Sequence, residues 1–110
     1  MNEKDEFYLK NILDMISDID KFIKGMDKDS FCASDLHQNA VMKKLENIGE
    51  ATKHISKDLK SKNSEIEWRK VSGMRDVLIH DYLGSDVSQV WETVSKDLPV
   101  FKKQVKKLLK

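Results

Sequence analysis

A chain of 110 residues has room for one domain, taken here as 1–110, and its 35% charged residues, four Gly and one Pro indicate a soluble helical protein. Twenty basic against nineteen acidic residues leave a net charge of +1, which excludes capture of nucleic acid by bulk charge alone. Cys32 is the only cysteine and cannot form an internal disulfide, and no apolar run approaches the roughly 18 residues of a membrane span; a cytoplasmic protein with no membrane contact is expected.

The charge is unevenly spread, at −4 over Met1–Asp20 and +5 over Lys96–Lys110. Tyr8, Ile12, Met15, Ile16, Ile19, Phe22 and Ile23 recur at helical spacing and predict a first helix over about Lys4–Lys24, stopped by Gly25. Met26–Ala33 reads as a connector with one short turn near Phe31 and Cys32. Ser34 is the expected N-cap of a second helix, with Asp35 in its first turn and a stripe running from Leu36 through Ala40, Val41, Leu45, Ile48, Thr52 and Ile55 to Leu59. That helix should end in Ser61-Lys62-Asn63-Ser64. Ser64 and Glu67 then have the spacing of a capping box, and a third helix is expected from about Glu65 to the neighbourhood of His80. Tyr82–Asp86 reads as a loop, with Asp86 capping the last helix. There Val87, Val90, Trp91, Val94, Leu98, Phe101, Val105 and Leu108 keep helical phase through Pro99, so a kink or break near Asp97 is predicted. No strand is indicated, and short connections give an all-α, antiparallel up-and-down bundle of four main helices.

Most candidate chemistry has a plain structural reading. Glu46, Glu50 and His54 stack at four-residue steps, but exposed carboxylates of this kind meet lysines, and no metal or cofactor is expected. Cys32 has no histidine near it in sequence to activate it. Gly49 and Gly73 lie inside helical patterns and suggest close approach of the second and third helices. The informative stretch is Arg75-Asp76-Val77-Leu78-Ile79-His80-Asp81-Tyr82. Arginine clamps phosphate, histidine exchanges protons near neutrality, and Asp76 stands one turn before His80 and can orient it. Arg75 and His80 nevertheless stand about 140° apart around an ideal helix, so one helix alone does not bring them together. A surface Arg–Asp pair with a histidine at a helix C-terminus explains the same residues without any catalysis.

These residues resemble the HEPN superfamily of small helical ribonucleases, specifically the HepT-like toxins of HepT–MntA toxin–antitoxin systems. The signature Arg-x-x-x-x-His-x-Tyr is present as Arg75, His80 and Tyr82. Met74–Gly84 around it, Ile48-Gly49-Glu50-Ala51, Val90-Trp91-Glu92-Thr93-Val94 and Lys96-Asp97-Leu98-Pro99 are also similar. The resemblance implies a homodimer whose Arg–His motifs meet at a cleft between subunits. It implies metal-independent endoribonuclease activity on tRNA or mRNA, with Arg75 stabilising phosphate charge and His80 serving in acid–base catalysis. It further implies silencing by a partner MntA-like nucleotidyltransferase that adds AMP to Tyr82. Position 76 is Asp, where asparagine is also frequent, which leaves Asp76 a supporting role. A rival expectation is a non-catalytic dimeric module that docks the nucleotidyltransferase, and a weaker one is a DNA-binding regulator of its own operon. Apolar residues beyond the main stripe of the first helix (Phe7, Leu9, Leu13, Met26) add to the expectation of a dimer.

Overall fold

The computed structural model describes residues 1–74 and 87–110. Helix α1 (Glu3–Phe22) starts at Asn2, whose side-chain oxygen accepts from the Asp5 N–H at 2.7 Å, and carries three acids in its first turn. Gly25 follows its end with φ of +78°, the left-handed conformation expected of a glycine stop. The short α2 (Lys28–Cys32) is closed by reciprocal bonds between Asp27 and Ser30 at 2.9 and 3.0 Å. The bond from the Ser30 N–H is the main influence holding the Asp27 carboxyl below its usual pKa of 3.8. Ser34 caps α3 (Asp35–Lys53), as its position in the sequence indicated.

The second predicted helix is in fact two. It ends at His54, and α4 (Lys57–Lys62) begins after a residue, Ser56, in extended conformation (ψ 150°). The cause lies 51 residues away in sequence. Asp5, 2% exposed, accepts the Ser56 N–H at 2.8 Å and its hydroxyl at 2.6 Å, while the same hydroxyl caps Leu59 N–H at 3.2 Å. The stripe also errs at its start. Leu36 is 76% exposed and Gln38 is buried instead, its amide donating to the Phe31 carbonyl at 2.9 Å across the α2–α3 turn.

The capping box expected at Ser64 and Glu67 does not form. Helix α5 (Trp68–Ser72) begins after Glu67, which makes no side-chain cap bond; the Trp68 indole N–H bonds the Asn63 carbonyl at 3.0 Å and fixes the entry. Gly73 is the C-cap of α5 rather than a mid-helix residue, and the atom nearest to an added Cβ would be the Arg69 carbonyl of its own turn. The continuation towards His80, the Tyr82–Asp86 loop and the Asp86 cap lie outside the described residues.

The α-helix is interrupted near Asp97 as expected, by a π-helical turn, and Pro99 stands in the first turn of the helix that follows. Helix α6 (Val87–Glu92) passes through a π-helical turn, Thr93–Asp97, into α7 (Leu98–Leu108). The Leu98 N–H reaches back five residues to the Thr93 carbonyl, and the next residue is the proline that has no N–H to offer. The wider turn thus leaves the helix where a donor is missing anyway.

Helices α1, α3, α5 and α6–α7 enclose a core of Leu9, Ile12, Ile16, Ile19, Val41, Leu45, Ile48, Val94, Phe101 and Val105, each at most 4% exposed. The architecture is all-α, with no strand among the described residues. Of the surplus apolar residues on and just after the first helix, Leu9 is in this core, Leu13 and Met26 pack against it, and Phe7 is left 59% exposed. Among the described residues Phe7 is therefore the one member of that surplus left largely exposed. No helix of the described residues is long and apolar enough to cross a membrane.

Candidate functional site

Arg75, Asp76, His80 and Tyr82 all fall within residues 75–86, outside the described part of the structure. What the structure does show is how the two flanks of that stretch are held. On the incoming side Trp68 and Val71 are buried, with the Trp68 ring edge-on to Phe101 at 6.2 Å. Gly73 closes α5 through its N–H to the Arg69 carbonyl at 2.9 Å, and Met74 packs against the core. On the outgoing side Val90 is buried and Trp91 lies against Phe31, ring centroids 5.3 Å apart. Both flanks are anchored by an aromatic contact to a different element.

Two cavities adjoin these flanks. One, of about 320 Å³, runs between α5 and the π turn and is lined by Lys70, Val71, Met74, Asp97, Leu98 and Phe101 among others. The second, of about 220 Å³, is lined by Leu45, Met74, Gln89 and Val90 and shares Lys70, Thr93 and Asp97 with the first. Lys70 lies 3.7 Å from Glu67 and 3.5 Å from Asp97, so acids already partner the cation at this junction. Nearby, the Lys96 ammonium bonds Glu92 at 2.6 Å and Lys28 approaches it at 3.6 Å. The hydrogen bond from Lys96 is the largest influence holding the Glu92 carboxyl below its usual 4.5, and it raises Lys96 in return.

Glu46, Glu50 and His54 are not gathered into a metal-binding group; among the described residues no such group of three exists. Glu46 pairs with Lys43 at 3.8 Å, whereas His54 caps α3 and stacks face to face on Tyr8, 4.9 Å between centroids and 10° between planes. His37 Nδ1 sits 2.6 Å from the Ser34 hydroxyl that caps its own helix. Cys32 ends α2, half-buried. None of the three needs a catalytic explanation. The buried Asp5 escaped the sequence reading, because nothing in an acidic first turn signals a partner half a chain away.

The comparisons bear on the family to which the chain belongs. The model of the family described as ribonuclease HepT-like matches residues 12–108. A protein of Thermococcus cleftensis named "Probable ribonuclease HepT" is 40% identical over the whole of both chains. A Methanocaldococcus jannaschii protein named "Putative RNase" is 42% identical over 94% of this chain and 89% of its own. A Caldanaerobacter subterraneus protein, also named "Putative RNase", is 37% identical over 93% and 91% respectively. No solved structure matches the chain.

Proposed function

The chain belongs to the HepT-like ribonuclease family, and on that premise we propose that it is a metal-independent endoribonuclease in which Arg75 and His80 carry the chemistry. The observation that supports this most is the intact Arg75, His80, Tyr82 signature inside a family match that runs from residue 12 to residue 108.

In this reading His80 takes the proton from a ribose 2′-hydroxyl, and the freed oxygen attacks the adjacent phosphorus. A phosphorane forms, with its added negative charge held by the two-pronged Arg75 guanidinium. The imidazolium of His80 returns that proton to the departing 5′ oxygen, leaving a 2′,3′-cyclic phosphate. Neither residue needs a metal for these roles. Asp76, beside both in sequence, is assigned to orient His80 or Arg75. Two copies of the chain bring their motifs to a shared cleft, which removes the objection that Arg75 and His80 point apart on one helix. Cleavage of tRNA or mRNA makes the protein the toxin of a toxin–antitoxin pair. A partner nucleotidyltransferase silences it by placing AMP on Tyr82, where the added phosphate competes with substrate for Arg75.

The test is incubation of the unmodified protein with total tRNA and mRNA in EDTA, beside His80→Ala and Arg75→Ala. Wild type is expected to leave cyclic-phosphate ends. Each variant should lose on the order of 10²–10⁴-fold in rate while keeping its circular dichroism and solution mass. If a dimer free of AMP cuts nothing, the chain is a non-catalytic module that docks the nucleotidyltransferase.

A further inference from the structure

Between α4 and the start of α5 lies an open groove of about 550 Å³ whose lining differs from the cavities beside Met74. Lys57, Lys60, Arg69 and Lys70 converge on it with the hydroxyls of Ser61 and Ser64. Among the described residues Glu67 is the only acid that lines it, and Lys70 already holds that carboxylate at 3.7 Å. Lys57, Lys60 and Arg69 make no ion pair among the described residues, whereas Lys62 on the same short helix is paired with Asp58 at 3.1 Å. Lys57 and Arg69 thus line the concavity with no ion pair among the described residues, and beside them Lys60 has only the partial offset of the Asp5 charge.

The floor strengthens their effect. It is made by Ile66 and Trp68, 3% and 7% exposed, with the indole fixed by its bond to Asn63. Charges beside apolar surface are less screened than charges in open water. Lys60 records this: burial lowers the pKa of its ammonium, and the charge of Asp5 offsets only part of that. A phosphate arriving above Lys60 would restore the stabilisation that burial removes. Lys57 and Lys60 stand three residues apart, about 5–6 Å between Cβ atoms, and Arg69 faces them from another helix. Cations spread over two elements suit successive phosphates of a strand more than one compact anion.

The groove also leads somewhere. Glu67 and Lys70 line both it and the 320 Å³ cavity that includes Met74, the residue before Arg75 in the chain. The lysines of α7 offer a contrast, since Lys103, Lys106 and Lys107 line none of the three cavities. We propose that the α4–α5 groove binds the phosphodiester backbone of single-stranded RNA through Lys57, Lys60 and Arg69, as a substrate contact additional to Arg75 and His80. The proposal rests on the ribonuclease reading above for its choice of RNA, but its test does not depend on cleavage.

The probe is a short fluorescein-labelled single-stranded RNA with 2′-O-methyl groups, which lacks the attacking hydroxyl and stays intact. Its anisotropy is followed with full-length protein across a range of NaCl concentrations. Replacing all three cations (Lys57→Gln, Lys60→Gln, Arg69→Gln) should weaken binding at least ~10-fold and flatten the slope of log K against log salt by about 2, at roughly 0.7 per lost phosphate contact. A matched triple on α7 (Lys103→Gln, Lys106→Gln, Lys107→Gln) removes the same charge and should change affinity less than ~3-fold. Thermal melts confirm that both variants fold. Unchanged binding in the groove variant, or equal loss in the two triples, overturns the proposal. So does displacement of the RNA by poly-glutamate at equal charge, which would make the groove a dock for an acidic protein. If wild type binds the methylated RNA through the groove yet cuts no RNA, the ribonuclease reading fails and the binding site stands.

Discussion

A carboxylate that is 2% exposed is tolerated only when its oxygens are satisfied, and Ser56 occupies both oxygens of Asp5 at 2.8 and 2.6 Å. Asp5→Ala strands a backbone donor and a hydroxyl at the α3–α4 break and should cost about 2–4 kcal/mol in urea unfolding. Ser56→Ala keeps the backbone bond, loses the hydroxyl to Asp5 and to Leu59, and should cost about 1–2 kcal/mol. The double variant should show about 1–3 kcal/mol of coupling; additive losses would mean that something else holds the break. Of this pair the sequence showed nothing, because a contact 51 residues long leaves no mark on local spacing. Ser34 is the opposite case: its cap bond reaches the third residue on, and the cap was legible. Arg75, Asp76, His80 and Tyr82 were legible for the same reason, as types at fixed spacing within eight residues. Lys57 and Lys60 were not, since only the fold turns a solvated helix face into the wall of a groove.

Periodicity found α1, α3 and the segment α6–α7, because each has an apolar face that must meet the core. It failed where a backbone bond rather than packing decides, at Ser56, whereas the disturbance expected near Asp97 is present as the π turn Thr93–Asp97. Val94 and Leu98, 2% and 3% exposed, stay in the core across that turn, so packing is kept while the hydrogen-bond ladder lengthens. Two hydroxyls assist, Thr93 to the Gln89 carbonyl at 3.1 Å and Ser95 to the Trp91 carbonyl at 2.7 Å. In an ordinary helix interior proline costs about 3 kcal/mol, and its replacement by alanine would return that much. Pro99 stands in the first turn of α7, where a restored N–H has no acceptor within that helix, so Pro99→Ala should change stability by less than about 1 kcal/mol. A gain near 3 kcal/mol in the same urea titration would show that the proline strains the helix rather than fits it.

At the scale of the whole molecule the oppositely charged first and last helices pack on each other, and among the described residues one ion pair joins them. The acidic α1 packs on the basic α7, with Lys102 bonded to Asp20 at 2.8 Å, and Lys44 of α3 reaches Asp18 at 3.0 Å. With a net charge of only +1, bulk attraction to a polyanion is weak, and on the proposed ribonuclease function substrate contacts are local. If each site takes Arg75 from one chain and His80 from the other, Arg75→Ala and His80→Ala protomers complement each other. A heterodimer then holds one site with both residues intact and one with neither. Random exchange places half the chains in heterodimers, so mixing two inactive variants should restore about a quarter of wild-type cleavage. The measurement uses co-expressed, differently tagged chains, with the heterodimer isolated on both tags and confirmed by mass. Isolated heterodimer should reach about half of wild-type activity. No recovery from a verified heterodimer would place both residues of each site in one chain, and the helix of 75–80 would then have to depart from ideal geometry to bring them together.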